Sequence, residues 1–174
     1  CNILDTGNNI NAIVLYEKLA TNLHLEKGKY QYALVNVTIG KGGTLLIDKG
    51  TKLVFDGVIN VEEGQLVCNG DASENIQVNC VSTSKITNNS SQVNYSKSRY
   101  KVTVGKDAIL NATYTVFSRG GITNTDLEKG TSLYIEGSLS MNNCVVDNDI
   151  NNSINGIVAK DNTKINLTNL TVKN

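Results

Sequence analysis

Along most of the chain, apolar side chains come in pairs one residue apart, separated by short runs of Gly, Asn, Asp and Lys. Alternation at period two puts both members of a pair on one face of an extended segment, so the pairs predict short strands rather than helices. Val37/Ile39, Leu45/Ile47 and Leu53/Phe55 form one set of three pairs. Ile59/Val61, Leu66/Cys68 and Ile76/Val78 form the next, at offsets of 22, 21 and 23 residues. An earlier set reads Ile13/Leu15, Leu23/Leu25 and Tyr30/Tyr32. Past an interruption come Val102/Val104, Leu110/Ala112 and Thr115/Phe117. Leu133/Ile135, Leu139/Met141 and Cys144/Val146 follow, and finally Ile157/Ala159, Ile165/Leu167 and Leu170/Val172.

Three strands recurring at this period mark a solenoid, because no repeat of this size can bury its apolar face alone. The predicted fold is therefore all-β: a parallel β-helix of about six three-stranded coils, one domain over 1–174 with a loop inserted at 82–99. A sandwich or jelly roll of the same short strands would not require the recurring offsets. No helix is expected beyond a short turn near Leu15 to Ala20. Val37, Ile47, Phe55, Ile59, Leu66, Val78, Val104, Leu110, Phe117, Ile135, Leu139, Val146, Leu167 and Leu170 are expected to face inward. Leu139-x-Met141-Asn142-Asn143-Cys144-x-Val146 matches Ile165-x-Leu167-Thr168-Asn169-Leu170-x-Val172. The two-residue break is a sharp bend whose left-handed backbone suits asparagine, and stacking would put Asn143 against Asn169.

The segments "VNVTIGKGGTLLIDKGTKLVFDG" and "INVEEGQLVCNGDASENIQVNC", with the later "LSMNNCVVDND" and "INLTNLTVKN", resemble coils of right-handed parallel β-helix domains of bacterial surface and secreted proteins. These domains belong to the pectate-lyase-like superfamily. The resemblance covers roughly residues 30–174 and implies a right-handed architecture. It implies no single activity, since that superfamily holds lyases, hydrolases, adhesins and plain scaffolds. The chain departs from the commoner pattern where Tyr100 stands after the insertion in place of a tryptophan.

Charge narrows the partners. Sixteen basic and sixteen acidic residues cancel among 174, which leaves no electrostatic footprint for nucleic acid or an anionic membrane. No apolar run approaches the roughly 20 residues of a transmembrane helix, and no basic start with a hydrophobic stretch marks a leader, so a mature or excised form is expected. Proline and tryptophan are absent, and the many asparagines create sequons such as Asn36, Asn111 and Asn166. The four cysteines fit no zinc spacing. Cys68, Cys80 and Cys144 fall on inward parity as small core residues. Cys1 reads either as a lipid-modified residue or as the start of an excised piece.

No catalytic constellation and no cofactor or metal site is expected. Asn124-Thr125-Asp126 lacks the paired aspartates, Gly-His-Gly and Arg-x-Lys that polygalacturonase chemistry needs, and His24, the only histidine, lies far upstream. Asp147-Asn148-Asp149-Ile150-Asn151 alternates oxygen ligands as calcium loops do, but lacks their glycine and final glutamate. The insertion, "STSKITNNSSQVNYSKSR", is the candidate ligand-binding loop: Tyr95, Lys97, Arg99 and Tyr100 could stack on and hydrogen-bond a sugar or peptide. The leading expectation is a non-enzymatic extracellular or cell-surface module acting as adhesin, stalk or self-assembly unit. The alternative is a carbohydrate-active module for an acidic polysaccharide. The sequence given stops at Asn174, just past the last inward pair. An uncovered final coil would present unpaired backbone and an apolar interior. Self-association, or continuation of a larger surface protein, is thus expected there, with a glycan or host-surface ligand as a further partner.

Overall fold

The computed structural model of the chain describes residues 2–5, 10–15, 17–29, 31–80, 99–121, 130–147 and 154–173. They form strands and bends only. The first strands are β1 (Asn2–Asp5), β2 (Ile10–Val14), β3 (Asn22–Leu25), β4 (Gln31–Val35), β5 (Thr38–Ile39), β6 (Thr44–Asp48), β7 (Lys52–Val61), β8 (Gln65–Asn69) and β9 (Ile76–Cys80). Then come β10 (Tyr100–Val104), β11 (Ile109–Thr113), β12 (Thr115–Ser118), β13 (Gly130–Ile135), β14 (Ser138–Asn142), β15 (Val145–Asp147), β16 (Ile154–Ala159), β17 (Lys164–Thr168) and β18 (Thr171–Lys173). Among the described residues there is no helix, and the turn expected near Leu15 to Ala20 is replaced by an isolated parallel bridge of Leu19 to Ile39.

Pairing is parallel except at one end. Six strands run β17-β14-β11-β8-β6-β3 in one sheet. The other sheet runs β1-β2-β4-β7-β9-β12-β15-β18, with β5, β10, β13 and β16 joined through the long strand β7. Among the described strands only β1 lies antiparallel, along β2 with Asn2 opposite Val14. Inward side chains therefore align in columns, one of which reads Leu23, Leu45, Leu66, Leu110, Leu139 and Ile165.

The pairing follows the expected offsets from Val37 onward in most columns. Val102 pairs with both Ile59 and Leu133, Leu133 with Ile157, and Val146 with both Phe117 and Val172. Two expectations need correction. Ile13 stacks on Leu34 rather than entering the Val37/Ile39 column, where Leu19 takes its place. Along β7 the register is shifted by two residues: Leu53 pairs with Tyr32 and Val78, and Phe55 with Leu34 and Cys80. The shift brings Thr51, whose carbonyl accepts from Gln77 N, beside Ile76. Of the residues expected inward, Leu170 is half-buried and Leu167 exposed, while the rest are buried.

Local chemistry sets the corners. Asn36 and Gly57 adopt left-handed backbone (φ +47° and +69°) at successive bends, and Asn36 Oδ1 accepts from Val58 N at 3.1 Å. A Cβ on Gly57 would lie 2.0 Å from that oxygen, so only glycine fits. At the next corner Tyr114, Asn143 and Asn169 are left-handed in turn (φ +42°, +53° and +49°). Asn169 Nδ2 donates to Asn143 Oδ1 at 3.1 Å, the stacking expected from the repeat.

Candidate functional site

The insertion gives little to a ligand at its described end. Tyr100 is fully buried, edge-on to Phe55 with ring centroids 5.3 Å apart. Arg99 is 5% exposed and donates from a guanidinium nitrogen to Gly120 O at 2.8 Å. Both therefore pack into the sheet and present no open face for a sugar or peptide. Cys80 lies beside Arg99 and Arg119. Burial pushes its thiol up, and the two guanidinium groups oppose that shift. Tyr95, Lys97, Asn124-Thr125-Asp126, Cys1 and Asn148 to Asn151 lie outside the described residues.

A histidine and two carboxylates meet where β3 ends against β6. His24 Nε2 lies 2.9 Å from Asp48 and Nδ1 lies 3.9 Å from Glu26. One donor atom from each of the three falls within 4.8 Å of the others. The Asp48 hydrogen bond raises the His24 pKa. These side chains are exposed or half-exposed, and the contact of Nε2 with Asp48 accounts for their approach as an ion pair without a metal.

A cleft opens where the chain turns from β8 to β9. It measures about 540 Å³ and is lined by Lys27, Lys52, Asp71, Glu74, Gln77 and Tyr114 among others. Its rim is built by one side chain: Asp71 Oδ1 accepts from Ser73 N at 2.9 Å, Ser73 Oγ at 2.6 Å and Glu74 N at 2.9 Å. Lys49 Nζ closes the other carboxylate oxygen at 2.8 Å. Led by that lysine contact, these bonds hold the Asp71 pKa well below the ordinary carboxylate range. Lys27 pairs with Glu74 across the cleft. Gly70 sits under Tyr114, where a Cβ would lie 2.4 Å from the Tyr114 carbonyl oxygen. The sequence singled out none of these residues as a site, because they come from stretches far apart in the chain.

The last strands are more exposed than the strands they stack on. Leu139, Met141 and Val146 are 1%, 1% and 0% exposed, yet their successors Ile165, Leu167 and Val172 are 43%, 45% and 52% exposed. Within the described chain, β16, β17 and β18 each have a parallel partner on one side only.

Charge elsewhere is scattered: Lys101 and Lys160 lie over the Tyr134 ring at 5.0 and 5.7 Å, and Lys160 also pairs with Glu136 at 2.7 Å. No helix among the described residues is long and apolar enough to cross a membrane. No protein-family model, curated protein or solved structure matches the chain.

Proposed function

We propose that this chain is a non-enzymatic module of a cell-surface or secreted protein, a right-handed parallel β-helix of about six three-stranded coils that works as a stalk, adhesin or self-assembly unit. Its last rung is continued by further parallel strands, either from another copy or from the remainder of a larger surface protein. One observation carries this reading: the abrupt loss of burial between Leu139, Met141 and Val146 and the equivalent Ile165, Leu167 and Val172. Three apolar positions that are buried in the two preceding sets become exposed together, beside three strand edges that have no partner among the described residues. Such edges template the addition of another strand, and burying them adds roughly 25 cal/mol for each Å² of apolar surface.

The test is sedimentation velocity and light scattering of the chain over a concentration series, beside a Leu167→Glu/Val172→Glu variant. Reversible association is expected for the wild type, and its loss is expected in the variant with the β-rich circular dichroism spectrum kept. A wild-type chain that stays monomeric throughout would refute the reading.

One observation favours the carbohydrate reading as a second: the convergence of Lys27, Lys52, Asp71 and Glu74 on a single cleft.

A further inference from the structure

The cleft between β8 and β9 has the size of a ligand site, since its volume of about 540 Å³ falls within the roughly 300–1,000 Å³ of small-molecule pockets. Its electrostatics disfavour one ligand class. Two lysines and two carboxylates line it. Glu74 engages Lys27, and Asp71 is engaged by Lys49, Ser73 and the Glu74 amide. With both carboxylates taken up by Lys27 and Lys49, Lys52 remains as a single positive charge, a weak hold on a polyanion. What it offers beyond those pairs is neutral hydrogen-bonding chemistry, from Asn75 and Gln77, with the Lys52 ammonium as a donor.

Tyr114 lines the cleft at a position that argues against an aromatic. Tyr114 occupies the bend that Asn143 and Asn169 occupy in the two following sets, with the same left-handed backbone. Asparagine tolerates that conformation, whereas a bulky ring there is an outlier. The asparagine contact between Asn169 and Asn143 also goes no further, and Asn143 Nδ2 turns to Asn142 Oδ1 at 2.9 Å. Residues held against backbone preference concentrate where a ligand is met. Tyr114 is half-buried and lines the cleft. A sugar ring matches this wall, because its C–H face is apolar and suits the negative face of an aromatic ring while its rim of hydroxyls needs donors and acceptors.

We infer that this cleft binds a neutral saccharide, with its C–H face on the Tyr114 ring and its hydroxyls toward Lys52, Asn75 and Gln77. The inference rests on the binding half of the carbohydrate reading and exchanges the acidic polysaccharide for a neutral sugar. It stands apart from association through the last rung, which is measured without sugar.

The test is an amide NMR titration of the whole chain with lactose, maltotriose, diacetylchitobiose and, as the acidic comparison, a galacturonate oligomer. Saturable shifts around Asn75, Gln77 and residue 114 are expected with at least one neutral sugar. Tyr114→Phe keeps the ring and should bind within about threefold of wild type, whereas Tyr114→Asn should bind at least about tenfold more weakly. Tyr114→Asn should also melt no lower than the wild type, since it puts the favoured residue at the bend. Gln77→Ala, at an exposed position, should weaken binding without moving the melting temperature. The assignment is overturned if no neutral sugar shifts these residues, if only the galacturonate binds, or if Tyr114→Asn binds like wild type. A lower melting temperature for Tyr114→Asn removes the strain argument and overturns it equally.

Discussion

Leu139→Ala tests the columnar core directly. Leu139 is 1% exposed and stands between Leu110 below and Ile165 above, with backbone hydrogen bonds to β11 on one side and β17 on the other. The substitution removes three buried carbons, about 2.4 kcal/mol at roughly 0.8 kcal/mol each. The paired strands prevent collapse, so a cavity term adds to this, and the total should be about 3–4 kcal/mol, within the known range for such changes. Ile165, one position further along the same column, is 43% exposed. It gains only about half of the roughly 1.5–3 kcal/mol of a fully buried side chain, so Ile165→Ala should cost about 1 kcal/mol. Both are measured by urea unfolding in dilute protein, followed by far-ultraviolet circular dichroism and compared as midpoint shifts at constant slope. A cost below about 1 kcal/mol for Leu139→Ala would refute the stacked column. Equal costs for the two variants would show that position 165 is as covered as 139, against the observed exposure.

Three further outcomes are expected. Tyr100 is fully buried and its hydroxyl has no hydrogen-bond partner among the described residues, so Tyr100→Phe should stabilise the protein by up to about 1 kcal/mol, read as a higher urea midpoint. His24 should titrate above its ordinary value in NMR, and Asp48→Asn should bring it back down. Because the folded state holds that proton more tightly, the stabilisation is fully present below a pH of about 6.5 and fades as pH rises through the raised pKa. Burial pushes the Cys68 thiol up to about 12, so a thiol reagent at pH 8 should leave Cys68 and the buried Cys144 unmodified until urea unfolds the chain. Half-buried Cys80 should react ahead of both, and early modification of Cys68 would contradict the packing.

The sequence by itself determined which residues face inward and which strands stack from Val102 onward. There the apolar pairs are short and isolated, and every pairing follows the predicted partner. Strand β7 shows where pattern stops. A slip of two residues keeps every side chain on its own face, so alternation could not choose between Leu53 opposite Ile76 and the observed Leu53 opposite Val78. Tertiary structure chose, through the stacked Asn36 and Gly57 corner that fixes where β7 bends. It also decided the amino-terminal end, where β1 folds back antiparallel on β2 and Ile13 joins the Leu34 column. At the described end of the expected ligand loop, Arg99 and Tyr100 are buried in the sheet. The cleft was not legible, because its walls come from four separate stretches of chain that only stacking brings together. Its one local signal was an aromatic residue at a bend where both later copies of the repeat carry asparagine, and the backbone angle at Tyr114 supplies the physical meaning of that exchange.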